Sequence, residues 1–155
     1  DIRDEIHFAG GGEHLGYPSC DDVNAPPSSH YHSSVCVDYA KNLIPLPVNS
    51  TPTAVALYHG EAFPQLDGQV LVLLGGSYNQ ARTTGYALVT LNPDDNSLAY
   101  LAPAIEPVRG QHTLNEMIQN RGEGFYPHRL YGLTVSAEGW IYFSGGGSIY
   151  VLRPR

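Results

Sequence analysis

Residues 129–154, "RLYGLTVSAEGWIYFSGGGSIYVLRP", contain three short runs in which apolar and polar residues alternate. The runs are 129–136, 139–144 and 148–154. They are separated by the glycine-containing segments 137–139 and 145–147. Alternation with a period of two is typical of strands that bury one face, and glycine-containing interruptions are typical of tight turns. The stretch therefore predicts three antiparallel strands.

Four further runs of the same kind precede this stretch. They are 53–60, 68–76, 85–93 and 97–103. Asp94-Asp95-Asn96 supplies a tight turn between the last two runs, because Asp and Asn tolerate the backbone angles that hairpins require. An irregular insert, 104–128, then leads to the final three strands, and its centre, 113–121, is the segment predicted to form a short helix.

Four strands, a long connection and three more strands are the pattern of β-propeller blades, each of which is a four-stranded antiparallel sheet. We expect an all-β chain that forms part of a six-bladed propeller, about two and a half blades, with the last blade completed from elsewhere. A composition with 17 Gly, 12 Pro and 11 Tyr but only 15% charged residues also favours short strands. A self-contained seven-strand sandwich is the alternative.

Charge and hydropathy exclude some classes of function. The net charge is -7 and Lys41 is the only lysine, so the chain does not have the basic surface that nucleic acids or anionic membranes require. No apolar run approaches the roughly 18 residues of a membrane-spanning helix. We therefore expect neither a nucleic-acid partner nor a membrane span.

Cys20 and Cys36 flank a polar segment rich in Pro, Ser and His. They would be thiols in a reducing compartment. Because the segment has few apolar residues with which to fold, we predict that a disulfide closes the loop 20–36. That predicts a secreted, extracellular or periplasmic protein, and the triplet Asn49-Ser50-Thr51 adds Asn49 as a candidate for N-glycosylation.

The glycines of "DEIHFAGGGEHLGYPSC", residues 4–20, raise the question of a ligand-binding loop. A phosphate-binding loop needs a helix directly after the glycines, and no helical pattern follows. The sequence therefore predicts a β-turn at Gly10-Gly11-Gly12. A metal loop is the alternative, and its candidate ligands are Glu5, His7, Glu13 and His14.

Other polar residues have both a functional and a structural interpretation. His30 and His32 are two apart and would point the same way in extended chain, which permits metal chelation or simply a solvated loop. His128-Arg129, just before a predicted strand, is the best functional pair by position. Ser77 lacks a nucleophile-elbow pattern and is predicted to be a turn residue. Tyr131 is one of several tyrosines predicted to pack along strands with a polar tip.

Three segments, in order, resemble one family. They are 4–20, 52–91 and 128–154. They are similar to the soluble quinoprotein sugar dehydrogenases, which act on glucose, sorbosone or pyranoses. The resemblance implies the C-terminal part of a six-bladed propeller that binds pyrroloquinoline quinone (PQQ) and calcium and oxidises the C1 hydroxyl of a sugar by hydride transfer to the quinone. The family's catalytic histidine matches no residue of this sequence.

The resemblance also assigns site residues. It implies that Arg129, just before the penultimate strand, and Asn49, shortly before an inner strand, contact the cofactor, because an arginine fork suits a carboxylate. The sequence differs from the pattern at Gly75-Gly76, where the family has a basic residue or histidine, and at Tyr78 and Gln80.

These differences leave two further hypotheses beside the sugar dehydrogenase. One is a non-catalytic propeller scaffold or binding subunit of an extracellular assembly that has lost the cofactor site. The other is an independent sandwich that binds carbohydrate. The propeller hypotheses imply partner blades on another chain or in residues not represented here.

Overall fold

The computed structural model describes residues 4–13, 15, 43–77, 84–104, 125 and 128–155. These residues belong to two compact units, 1–49 and 50–155. Among the described residues, every regular element is a β-strand except the 3-10 turn at Pro64–Leu66. The predicted all-β class is therefore confirmed for the described part of the chain, which has no helix long and apolar enough to cross a membrane.

The first unit contains a two-stranded antiparallel sheet. Strand β1 (Glu5–His7) pairs with β2 (Leu43–Pro45), with Ile6 opposite Ile44. The amide of Leu46 extends the pairing by donating to the carbonyl oxygen of Asp4 at 2.8 Å. Neither strand was predicted, because three-residue strands are too short to show a period.

A turn follows β1 at the glycine stretch, as predicted. The amide of Glu13 donates to the carbonyl oxygen of Gly10 at 3.3 Å, and the Glu13 carboxylate accepts from the Gly10 amide at 2.8 Å. Gly12 has a φ of 87°, which only glycine adopts without strain. Both the backbone amide and the side chain of Glu13 therefore stabilise the turn.

The second unit contains two antiparallel sheets, and all seven predicted strands are confirmed. The first sheet has the order β3 (Pro52–Leu57), β4 (Val70–Leu74), β5 (Ala87–Leu91) and β6 (Leu98–Ala102). The second has the order β7 (Leu130–Val135), β8 (Ile141–Gly145) and β9 (Ser148–Leu152). Four strands followed by three is the arrangement that the sequence predicts for successive propeller blades.

The predicted turns are confirmed by their hydrogen bonds and dihedral angles. Between β5 and β6, the Asp95 carboxylate accepts from the amide of Ser97 at 2.8 Å and Asn96 has a φ of 59°. Between β8 and β9, Gly146 and Gly147 have φ values of 57° and 79°. Two consecutive positive φ values define the hairpin turn that matches the twist of antiparallel strands.

The hydrophobic core lies between the two sheets, where β3 and β4 pack against β7. Its fully or nearly fully buried members are Leu71, Leu73 and Leu88 from the first sheet and Leu130, Ile141 and Phe143 from the second. Phe143 stacks on Tyr150 at a centroid distance of 5.2 Å. Each such residue contributes about 1.5–3 kcal/mol on burial, so the contact between the sheets is a large contribution to the stability of this unit.

Several predicted features lie outside the described residues. They are the Cys20–Cys36 disulfide, the short helix at 113–121, most of the insert 104–128, and the residues His14, His30, His32, Lys41, Tyr78 and Gln80.

Candidate functional site

One end of the second unit gathers the segments that lead into and between its strands. In antiparallel sheets the start of β3, the β4–β5 connection, the start of β7 and the β8–β9 turn lie at the same end. The two sheets meet there, because a Cβ added to Gly75 would lie 3.1 Å from the carbonyl oxygens of both Thr51 and Leu130. We call this region the entry end: 50–51, 75–77, 84–86, 128–129 and 145–147.

The chain enters β3 through a strained backbone. Thr51 has a φ of 52°, a conformation that is costly for a β-branched residue by about 1–3 kcal/mol. Two hydrogen bonds hold it: the Gly75 amide donates to the Thr51 carbonyl oxygen at 2.7 Å, and the Gly76 amide donates to that of Ser50 at 2.8 Å. Strain of this kind concentrates at ligand-binding and catalytic sites, so it supports a functional role for this end.

The Gly75-Gly76 pair has no room for side chains. A Cβ on Gly75 would lie 2.6 Å from Cγ2 of Thr53, and a Cβ on Gly76 would lie 2.5 Å from Cδ2 of Tyr86. Tyr86 is buried, and its hydroxyl donates a hydrogen bond to the carbonyl oxygen of Ser77. Gly75 therefore makes space for Thr53, and Gly76 makes space for the Tyr86 ring.

Ser77 closes the β4–β5 connection. Its amide donates to the carbonyl oxygen of Thr84 at 2.9 Å, and its Oγ accepts from the Thr84 amide at 3.0 Å. The residue is 5% exposed. This confirms the prediction of a turn residue, because both its backbone and its hydroxyl are used to hold the two ends of segment 78–83 together.

The His128-Arg129 pair lies at the start of β7. The His128 amide donates to the carbonyl oxygen of Phe125 at 2.8 Å, and the imidazole lies against the β8–β9 turn, where a Cβ on Gly146 would be 2.5 Å from Nδ1. Arg129 is half-buried and is followed by the fully buried Leu130. The glycine turn thus provides the space that the His128 ring occupies.

Asn49, the other residue assigned by the resemblance, is the last residue of the first unit. It is half-buried, has a φ of 58° and precedes β3. Arg129 belongs to the second unit and directly precedes β7. Asn49 thus lies shortly before a first strand, whereas Arg129 precedes β7, the third strand from the end of the chain and not the penultimate one.

Tyr131 is a candidate that the sequence analysis assigned to strand packing. The structure leaves it 60% exposed on β7, two positions after Arg129. A signal was present in the sequence, because a glycine inside a strand pattern, here Gly132, indicates a bulge that changes the direction of nearby side chains.

The metal-loop alternative is supported by one contact between two of its candidate ligands, His7 and Glu5. Nε2 of His7 lies 3.1 Å from a carboxylate oxygen of Glu5, and Glu13 is used by the glycine turn. Among the residues that the structure describes, no three His, Cys, Asp or Glu side chains cluster as a metal site would require.

Comparison with known proteins supplies one fold relationship. No family model matches the chain, and no curated protein matches it. Among solved structures, the holo form of the PQQ domain of pyranose dehydrogenase from Coprinopsis cinerea is similar, with a TM-score of 0.53 and 22% sequence identity over 90% of this chain. The chain spans 40% of the length of that structure.

This likeness concerns the fold. The two antiparallel sheets of the second unit, packed face to face, are blades of a β-propeller of the kind found in that PQQ domain. The predicted fold class, an all-β chain that forms part of a propeller, is therefore confirmed.

Proposed function

We propose that the chain is the C-terminal portion of a PQQ-dependent sugar dehydrogenase-like propeller, and that its entry end contributes to the quinone site. The observation that carries the proposal is the place of Arg129, half-buried at the start of β7 in a fold shared with a PQQ domain. First strands of blades line the central channel of a propeller, where such folds bind ligands.

The chemistry of the entry end fits an anionic, planar cofactor. PQQ carries several carboxylates, and a guanidinium binds a carboxylate through two parallel hydrogen bonds. Within the described part of the entry end, Arg129 is the one permanently charged cation, since Gly75 and Gly76 leave no space for a basic side chain. Arg129 would hold a cofactor carboxylate, and we propose that Asn49 contributes an amide contact.

The bound quinone would accept a hydride from C1 of an aldose. The role of this chain's residues is to bind and orient the cofactor, because no residue here is assigned as the base that removes the hydroxyl proton. Calcium at the cofactor belongs to the same proposal.

A titration of the intact protein with PQQ and calcium tests the proposal. Quinone absorbance reports binding, and aldose-dependent reduction of a dye reports turnover. Arg129→Gln should weaken PQQ binding by about tenfold or more, because charge-assisted hydrogen bonds contribute about 1.5–3 kcal/mol. The control is Arg153→Gln, which removes a guanidinium 5.8 Å from the Trp140 ring. Equal affinity in both variants would remove Arg129 from the site.

A non-catalytic propeller, acting as a scaffold or binding subunit, is the second candidate. The observation that favours it is the packing of Tyr86 against Gly76, which leaves the cofactor with fewer cationic contacts than the resemblance implies. A folded protein that shows no saturable PQQ binding would establish this candidate over the dehydrogenase.

We also propose that the protein is secreted or periplasmic and carries the Cys20–Cys36 disulfide. Intact mass with and without reduction before alkylation tests the pairing. Labelling of both thiols without reduction would contradict it.

A further inference from the structure

In the described part of the chain, the second sheet is covered on one face and largely exposed on the other. Ile141 and Phe143 of β8 lie in the core between the sheets, and Tyr150 of β9 packs against it. Because successive side chains of a strand point to opposite faces, the residues between them lie on the other face. Two of these, Ile149 and Val151, are 78% and 44% exposed. We call this the outer face, and its residues are Gly132, Thr134, Tyr142, Ser144, Ile149 and Val151.

The outer face is continuous across the three strands. Ser144 accepts a hydrogen bond from the Gly132 amide at 3.1 Å, and it is paired with Ile149 on its other side. A Cβ on Gly132 would lie 3.1 Å from the same hydroxyl oxygen, so Gly132 belongs to this face. In the next row, one position of β8 separates Thr134 from Val151. The face therefore grades from small residues on β7 to large aliphatic residues on β9.

The covered face of the first sheet grades in the same way. Ala54 and Ala56 of β3 are paired with Leu73 and Leu71 of β4. Both leucines are fully buried in the core that joins this sheet to the second, and Ala54 packs against the same core. The face that receives the second sheet thus has small residues on its first strand and large aliphatic residues on the next strand.

This gradation in size has a geometric reason. Strand β7 approaches β3 more extensively than it approaches any other strand of the first sheet, so the two sheets are closest at their first strands. Sheets that converge there leave room only for small side chains between the first strands, and larger side chains fill the wider space further out. Blades arranged around a central channel converge in this way. The outer face therefore has the side-chain sizes of a face that another blade covers.

We propose that the outer face packs against a further blade of the propeller, whose first strand lies against Gly132. That blade should present aliphatic and aromatic side chains, because the second sheet presents Leu130, Ile141 and Phe143 to the covered face of the first. A blade beyond the two described here is consistent with the similar PQQ domain, since this chain spans 40% of its length. The inference assigns a protein-binding surface and does not depend on the cofactor.

The test is thiol labelling of the intact protein with a maleimide. Ile149→Cys and Val151→Cys each place a thiol on the outer face, and peptide mass spectrometry separates it from Cys20 and Cys36. The matched control is Asp94→Cys, in the exposed turn between β5 and β6. Each rate is divided by the rate of the same variant in urea, which corrects for the intrinsic reactivity of the thiol. Both outer-face thiols should react at least about tenfold more slowly than the control, because a covering blade excludes the reagent.

The labelling is repeated after about hundredfold dilution, which dissociates weak self-association. Slow labelling that does not change on dilution supports the blade. Labelling of the outer-face thiols as fast as the control overturns the inference. Slow labelling that becomes fast on dilution also overturns it, because a second copy of the chain then covers the face. Val151→Cys exchanges side chains of similar size, so the test does not depend on whether Ile149→Cys folds.

Titration of the same preparations with PQQ is a separate readout. Saturable PQQ binding together with fast labelling overturns the blade contact and retains the proposed function. Slow labelling at both concentrations without PQQ binding retains the blade contact and overturns the proposed dehydrogenase.

Discussion

The hydroxyl of Tyr58 donates a hydrogen bond of 2.8 Å to the carbonyl oxygen of Gly139, which joins the end of β3 to the β7–β8 turn of the next sheet. The same hydroxyl accepts from the Phe63 amide at 3.0 Å, and Tyr58 is fully buried. A Cβ on Gly60 would lie 2.6 Å from Cα of Gly139, so the two segments are in direct backbone contact. The sheets are therefore fastened at the end opposite the entry end.

Tyr58→Phe should lower the free energy of unfolding by about 1–3 kcal/mol, because it leaves a buried carbonyl and an amide without their partner. Urea denaturation measures the change. Tyr142→Phe, which removes a hydroxyl from a half-buried tyrosine on β8, should change stability by less than about 0.5 kcal/mol. Equal losses in the two variants would contradict the role of the Tyr58 hydroxyl.

The β8–β9 turn offers a matched pair of glycine substitutions. Gly146→Ala and Gly147→Ala each place a side chain at positive φ, which costs about 1–2 kcal/mol. Only Gly146→Ala also forces the His128 ring to move, because nothing lies within 4 Å of a Cβ on Gly147. We expect similar thermal destabilisation from the φ cost but weaker PQQ binding only in Gly146→Ala. A binding loss of the same size in both variants would refute the link between the turn and the site.

Ser144→Ala tests the support of the irregular pairing of β7 between Leu130 and Leu133. Removing the acceptor of the Gly132 amide should lower the free energy of unfolding by about 0.5–1.5 kcal/mol, the contribution of one neutral hydrogen bond. Urea denaturation measures the change, with Thr134→Ala, an exposed position on β7, as the control that should differ by less than about 0.5 kcal/mol. Unchanged stability in Ser144→Ala would show that the irregular pairing does not depend on this hydroxyl.

Two carboxylates in turns, those of Asp95 and Glu138, make the free energy of unfolding depend on pH. The side-chain hydrogen bond from Ser97 holds the pKa of Asp95 below its ordinary value, and that from Ser136 does the same for the pKa of Glu138. Because each pKa is lower in the folded than in the unfolded state, the stabilisation is complete above the ordinary carboxyl pKa of about 4 and is lost as the pH falls through the folded value.

Asp95→Asn combined with Glu138→Gln should therefore flatten the decline in unfolding free energy between about pH 6 and about pH 3. Urea titrations across that range provide the measurement, with Asp94→Asn as the control in the same turn. An unchanged slope in the double variant would contradict the contribution of these two hydrogen bonds.

The strands of the second unit were predictable because their signals are local. Alternation and turn residues such as Asp94-Asp95-Asn96 and Gly146-Gly147 define both the strands and the points where the chain reverses. The pairing of β1 with β2 was missed, since it joins Glu5–His7 to Leu43–Pro45 across a long interval and each strand has only three residues.

The site was predictable only in part. Arg129 could be placed at a strand start from the sequence, but the packing of Tyr86 on Gly76 depends on a φ of 53° at Tyr86 and on contact between the two sides of the β4–β5 connection. Tyr86 also lies just before β5 rather than along it. The exposure of Tyr131 depends on strand register, which an isolated run of residues does not specify.

The mutual hydrogen bonding of Ser77 and Thr84 has an evolutionary consequence. Because the connection is closed at its base, the length and composition of 78–83 can diverge without disturbing the alignment of β4 and β5. Insertions and substitutions between Ser77 and Thr84 should therefore be tolerated more easily than changes within the strands, and the same two residues mark where a foreign segment can be grafted.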